Sequence, residues 1–126
     1  MHTSFMNKKF SFRNRLQSFH FAFEGVVAFF KTEHNAWLHL TATIIAILLT
    51  ALLPCTQTEI LFIVFAVGLV WTAELFNTAI ERLADLMTTE THPKIKFIKD
   101  ISAAAVLIAA ITALITGCIV FIPKFY

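Results

Sequence analysis

Residues 60–80 read ILFIVFAVGLVWTAELFNTAI, an apolar run that only Glu74 and Asn77 interrupt, both near its far end. An α-helix needs about 20 predominantly apolar residues to cross the hydrocarbon core of a bilayer. The run has this length, so we predict a transmembrane helix with polar side chains buried towards one end.

Two further runs have the same character. Residues 36–54 carry no formal charge at neutral pH, and residues 101–122 are rich in Ala and other small residues that let transmembrane helices approach closely. The chain of 126 residues is 58% hydrophobic and 14% charged, which is too apolar for so short a chain to bury in a core of its own. We predict an all-α integral membrane protein, a single domain of residues 1–126 with three transmembrane helices in a lipid bilayer.

The first 35 residues have a different pattern, in which Phe side chains alternate with basic and polar residues between Phe10 and Phe30. Such a mixture is typical of an amphipathic helix that lies in the headgroup region. We therefore predict that residues 1–35 form an arm with an N-terminal amphipathic surface helix before the first span. A disordered basic arm is the alternative.

The basic residues predict the orientation. The arm contains Lys8, Lys9, Arg13, Arg15 and Lys31, and the loop expected between the second and third spans contains Arg82, Lys94, Lys96 and Lys99. Positive residues near span ends are retained in the cytoplasm. We expect a multi-pass protein of the cell (inner) membrane, with its N-terminus in the cytoplasm, its C-terminus outside and Pro93 interrupting the cytoplasmic loop. Ten Lys and Arg residues distributed in this way form no broad basic surface, which argues against nucleic acid as a partner.

Polar side chains share one face at the cytoplasmic end of the second span. Glu74, Asn77, Glu81 and Asp85 fall within about 80° of one another on an α-helix. Three carboxylates on one stripe are costly in a membrane unless a cation neutralises them, and Mg²⁺ with the phosphates of ATP is suited to this. The alternative is that Arg82, Lys96 or Lys99 pairs with these acids, above all with Asp85 in the headgroup layer.

The deepest of these acids is Glu74. Removal from water favours the protonated form of a carboxyl group, which suits a group that accepts a proton from a lipid hydroxyl. Glu74 is therefore our candidate for the general base.

Two other clusters of polar residues flank the spans. Lys99 and Asp100 stand where the third span begins, after Glu90 and His92, and a lysine at a helix start is suited to binding phosphate. Capping and snorkelling residues are the alternative interpretation. Glu33, before the first span, is expected at the bilayer level of Glu81 and would complete a metal site from another helix. The chain has no Walker A or kinase Gly-rich loop, so an ATP site here is of an unusual kind.

The sequence resembles the small prokaryotic membrane lipid kinases, which comprise diacylglycerol kinase and undecaprenol kinase. The resemblance runs from about Phe19 to Pro123 and rests on three motifs. They are ELFNTAIERLAD from Glu74 to Asp85, HPKIKFIKD from His92 to Asp100, and AAVLI from Ala104 to Ile108.

The resemblance implies a homotrimer of three-span subunits, each preceded by a surface helix, with active sites between subunits that use ATP and Mg²⁺ to phosphorylate a membrane lipid alcohol. By matching position it assigns Glu74 as the base, Asn77 to the organisation of the active site, and Glu33 and Glu81 to the metal. The residues implied in nucleotide binding are Phe21, Glu33, Glu81, Glu90, His92, Lys99 and Asp100. Phe21 stands where some members carry a Tyr against the nucleotide.

The acceptor lipid is predicted from two short segments. Thr32-Glu-His-Asn35 with His39, and Glu90-Thr-His-Pro93, resemble the undecaprenol kinase branch, so undecaprenol is the favoured acceptor and diacylglycerol the alternative. An ion-conducting or structural membrane subunit is a further alternative, because buried acids also line ion pathways. It is disfavoured because the charged face lies at one membrane surface only.

Overall fold

The computed structural model describes residues 9–126 and contains helices without strands in that part of the chain. Four α-helices follow one another: α1 (Phe12–Thr32), α2 (His34–Leu52), α3 (Gln57–Met87) and α4 (Pro93–Phe121), and a 3-10 helix, Ile122–Phe125, follows α4. The predicted all-α fold is confirmed. Lys8, which contributes to the basic arm, lies outside the described residues.

Three of the helices are long and apolar enough to cross a membrane: α2, α3, and α4 together with the 3-10 helix. Large apolar side chains on them remain exposed, among them Leu48 (53%), Phe65 (75%) and Ile119 (70%). Side chains of this kind need lipid or another subunit against them. The chain is a membrane protein with three spans, as its sequence predicts.

The chain divides into two compact units, residues 1–36 and residues 37–126. In the first unit, the Ser11 hydroxyl caps α1 by accepting the Asn14 N–H at 3.5 Å. Glu33 has an extended backbone, so this single residue separates α1 from α2. The alternative of a disordered arm is therefore wrong for residues 12–32, and a helix precedes the first span as predicted.

In the second unit, α3 and α4 make the most extensive contact between described helices. An apolar cluster of Ile63, Val120 and Phe121 packs against side chains near the end of α2. At the start of α3, Thr56 and Glu59 form a reciprocal capping box. Glu59 also pairs with Lys124 at 2.9 Å, which connects the start of α3 to the C-terminal end of the chain. These contacts hold the three spans together at the end remote from Glu74, Glu81 and Asp85.

The helices extend beyond the runs that hydropathy marks. Helix α3 continues past Ile80 to Met87, and α4 begins at Pro93, well before residue 101. Pro93 therefore opens a helix instead of interrupting a loop, because the first helical position needs no N–H donor and suits the fixed φ of proline. Only residues 88–92 connect the two helices, so charged residues expected in a loop lie on rigid helical faces.

Candidate functional site

Glu74 is a buried carboxylate in the middle of the second unit. Only 5% of its surface is exposed, and its Oε1 lies 2.6 Å from Nε2 of His39 on α2. The side chain of His39 is itself 16% exposed. A carboxylate within a membrane span needs such a partner, because nothing else replaces the hydrogen bonds it would have in water.

The neighbours of His39 hold it in place. Its backbone carbonyl accepts the Thr43 hydroxyl at 2.7 Å, and that hydroxyl oxygen accepts the indole N–H of Trp71 at 2.9 Å. The rings of His39 and Trp71 meet edge to face, with centroids 6.3 Å apart. The imidazole on α2 therefore contacts two side chains of α3, Glu74 and Trp71.

Asn77 lies one turn beyond Glu74 and faces α4. The Ser102 hydroxyl, which is buried, donates to Oδ1 of Asn77 at 2.7 Å. Since Ser102 donates to the amide oxygen, the amide nitrogen of Asn77 keeps two N–H donors to offer a ligand. The contact also joins α3 to α4 close to Glu74.

A cleft of about 490 Å³ opens where α3 ends and α4 begins. It brings together four residues predicted to bind a nucleotide: Glu90, His92, Lys99 and Asp100. The sequence separates them into a short loop and the first turns of α4, and the turn after Met87 folds them around one space. The other lining residues are Asp85, Thr88, Thr89, Thr91, Ile95 and Lys96.

Charges of both signs line this cleft. Nζ of Lys99 lies 2.5 Å from Oδ1 of Asp85. Nζ of Lys96 lies 2.5 Å from Oδ2 of Asp100. Glu81 stands one helical turn before Asp85 on the same face of α3. The alternative weighed for Asp85, an ion pair with a basic neighbour, is confirmed. The Lys96–Asp100 pair is exposed to solvent, whereas the Lys99 side chain is 36% exposed, so exchanging the carboxylate for a phosphate costs little at Lys96 above all.

His92 is the N-cap of α4. Its Nδ1 accepts the backbone N–H of Lys94 at 3.1 Å, and Pro93 occupies the first position of the helix. In the neutral ring the proton then belongs to Nε2, which becomes a hydrogen-bond donor on a residue that lines the cleft. A helix start of this kind carries a partial positive charge that favours phosphate.

Phe21 and Glu33 belong to the unit of residues 1–36, so their part in the site stays a prediction. Glu81 is half-buried on α3, about 10 Å beyond Glu74 along the helix axis. Among residues 9–126, no group of three or more His, Cys, Asp or Glu side chains is ready to hold a metal ion. Mg²⁺ does not need such a group, because this ion commonly takes one or two carboxylates and completes its shell with water and phosphate.

Sequence reasoning missed three participants. From the sequence, His39 is one of the polar residues near the start of the first span and helps to assign the branch of the family, Ser102 is one of the small residues of 101–122, and Lys96 is an alternative ion-pair partner of the acids but not a nucleotide contact. An imidazole five residues into a span was a signal for His39, because a histidine inside a membrane helix needs a polar partner. Its pairing with Glu74, which is 35 residues away, is a property of helix packing.

The sequence profile of the prokaryotic diacylglycerol kinase family matches residues 20–121. Undecaprenol kinase of Bacillus subtilis is 34% identical over 116 residues, which cover 89% of this chain and 94% of that protein. Diacylglycerol kinase of Synechocystis sp. is 35% identical over 111 residues, covering 87% of this chain and 63% of that protein. Diacylglycerol kinase of Escherichia coli K12 is 34% identical over 84 residues, covering 67% of this chain and 69% of that protein. The chain therefore belongs to the prokaryotic diacylglycerol kinase family and is a lipid kinase, a phosphotransferase.

Proposed function

We propose that this lipid kinase transfers the γ-phosphate of ATP to the hydroxyl of undecaprenol at the cytoplasmic surface of the membrane. One observation carries the proposal: four residues predicted to bind a nucleotide line a single cleft at the end of the helix that buries Glu74. The nucleotide occupies the cleft, with Lys99 and Lys96 as phosphate contacts and His92 as a donor. Its γ-phosphate extends along α3 towards Glu74.

Glu74 acts as the general base. It accepts the proton of the lipid hydroxyl while that oxygen forms a bond to the γ-phosphorus, and the bond from phosphorus to the bridging oxygen of ADP breaks. Asn77 organises this region, because Ser102 holds its amide oxygen and leaves its N–H donors for a reacting oxygen. Placement and charge stabilisation supply most of the rate, as in other phosphoryl transfers.

Glu33 and Glu81 would hold Mg²⁺ together with the phosphates. Bound there, Mg²⁺ would offset the negative charge of the phosphates. Glu81 precedes Asp85, the ion-pair partner of Lys99, by one helical turn on α3, which supports this assignment because a second carboxylate then lies on the face beside the lysine proposed to bind phosphate. Phe21 is assigned to the nucleotide from the family resemblance alone.

Undecaprenol is the proposed acceptor because of the match to the relative named undecaprenol kinase, which covers 94% of that protein. The segments around Glu33 and His92 favour the same branch. Diacylglycerol is the second candidate, because the relatives from Synechocystis sp. and Escherichia coli are named diacylglycerol kinase. A groove that contacts only the hydrocarbon part of a lipid discriminates modestly between such acceptors.

The working assembly is a homotrimer with active sites between subunits, and the N-terminus lies in the cytoplasm. The broad exposure of apolar side chains on the spans supports assembly. The basic residues of the arm and of the α3–α4 end support the orientation.

A competition assay tests the acceptor. Purified protein in mixed micelles receives labelled ATP, Mg²⁺ and equal amounts of undecaprenol and diacylglycerol. We expect labelled undecaprenyl phosphate to be the main product, in excess of labelled phosphatidic acid by about threefold, because a hydrocarbon groove discriminates modestly. Phosphatidic acid as the main product would establish the second candidate, and no lipid product would refute the proposed transfer.

A further inference from the structure

Inside the membrane, His39 and Glu74 form an isolated pair. Between Glu59 and Glu81, Glu74 is the one charged residue of α3, and α2 contributes only His34 and His39 as titratable groups. From residue 101 onwards α4 offers Cys118, near its far end, as its only titratable side chain. The cavity next to His39, about 280 Å³ in volume, is lined on the α4 side by Ala110, Ala113, Leu114, Gly117 and Phe121.

A carboxylate in such surroundings depends strongly on its partner. Nε2 of His39 lies 2.6 Å from Oε1 of Glu74, and a ring that carries its proton on Nε2 donates a short hydrogen bond to the carboxylate. The low local dielectric strengthens this bond, and few other groups compete for it. The bond therefore determines which way the Glu74 carboxyl group turns.

The imidazole also packs against a second side chain of α3. Thr43 binds the backbone of His39 and accepts the Trp71 indole N–H, while the Trp71 ring packs against the imidazole edge. A group held by two helices is a rigid support, and a base must be held within a few tenths of an ångström of its productive position.

We propose that His39 is the residue that positions the catalytic base, donating a hydrogen bond from Nε2 to Oε1 of Glu74 and leaving Oε2 for the lipid hydroxyl. The inference rests on the proposed role of Glu74 as the base. His39 touches neither lipid nor nucleotide in this scheme and acts through Glu74 alone. Its loss should lower kcat and leave the binding of ATP unchanged.

Two amide variants at position 39 test whether a hydrogen-bond donor must stand within reach of Glu74. The amide nitrogen of Gln stands near the position of Nε2, whereas that of Asn stands near Nδ1 and falls short of Glu74. We expect His39→Gln to keep kcat within about threefold of wild type, and His39→Asn to lower it by about 10- to 100-fold with the KM for ATP within about twofold. His39→Leu, which keeps apolar bulk without a donor, should behave like His39→Asn.

The measurements are initial rates over a range of ATP concentrations, with oligomeric state and thermal stability of each variant measured in the same detergent. Equal kcat for the Asn and Gln variants overturns the proposal, as does a loss of kcat in all three variants. A fall in kcat that is matched by loss of assembly in the Asn variant also overturns it, because His39 is then a packing residue.

Glu74→Gln in the same assay separates the two proposals. If this variant turns over normally, Glu74 is not the base, and the proposed mechanism fails together with the role of His39. If it is inactive while the Asn and Gln variants at position 39 have equal rates, only the role of His39 fails.

Discussion

Three acidic residues on one stripe of α3 have three different environments. Glu74 is buried against an imidazole, Glu81 is half-buried near Lys99, and Asp85 is exposed in an ion pair. All three lie on one face of the helix, so helical periodicity alone does not distinguish their roles. Environment separates their chemistry: a desolvated carboxylate suits proton transfer, and a carboxylate at the water boundary suits a hydrated cation.

Glu81→Gln tests the metal assignment. The amide keeps the size of the side chain and removes the charge, so we expect the Mg²⁺ concentration for half-maximal activity to rise by about tenfold or more. Loss of residues that merely support a metal ligand already costs about 10- to 100-fold in affinity. The measurement is a Mg²⁺ titration of the rate at fixed ATP, with Glu24→Gln in α1 as the matched control. An unchanged titration would remove Glu81 from the metal site.

At the scale of elements, the ends of α3 and α4 form the cleft. Both helices continue beyond the apolar runs, so the residues proposed to bind the nucleotide line a space between two rigid helix ends. Hydropathy predicted which segments cross the membrane because lipid contact requires apolar side chains. It could not predict the helix ends, because the charged turns beyond the bilayer stay helical through capping by His92 and the fixed φ of Pro93.

Lys99→Met tests the cleft as the nucleotide site. Removing a cation that binds phosphate should raise the KM for ATP by about tenfold. Lys94→Met is the matched control, because Lys94 stands on the same helix start but does not line the cleft. We expect its KM to stay near the wild-type value.

Asp85→Asn tests whether the Asp85–Lys99 ion pair is structural or whether Lys99 binds phosphate. The substitution leaves Lys99 in position and removes the carboxylate that competes with phosphate for it. The KM for ATP should then stay at or below the wild-type value, measured from initial rates at saturating lipid. Equal increases in the KM for ATP in Lys99→Met and Asp85→Asn would show that the ion pair has a structural role and would contradict a phosphate contact at Lys99.

The molecule as a whole leaves much of its apolar surface uncovered. Exposed side chains such as Phe65 and Ile119 lie on helices that must meet lipid or neighbouring subunits. The contacts within one chain concentrate along α3 and α4, and polar pairs fasten the spans at several levels. Both features are typical of helices packed within a membrane.

The orientation is tested by labelling single cysteines. In a background in which Cys55 and Cys118 are replaced by Ala, Gln57→Cys should react with a membrane-impermeant maleimide in intact cells. Thr89→Cys should react only after the membrane is permeabilised, because the turn between α3 and α4 is expected in the cytoplasm. The opposite pattern would reverse the orientation.

The sequence by itself determined the number of spans, the helix that precedes them and the polar stripe of α3, because hydropathy and helical period are local properties of consecutive residues. Only the tertiary structure decided that Glu74 meets His39, that Asn77 meets Ser102 and that Asp85 meets Lys99. Each of these contacts joins two different helices. The rotation and depth at which helices pack depend on side-chain fit along their whole length, which spacing within one helix does not encode.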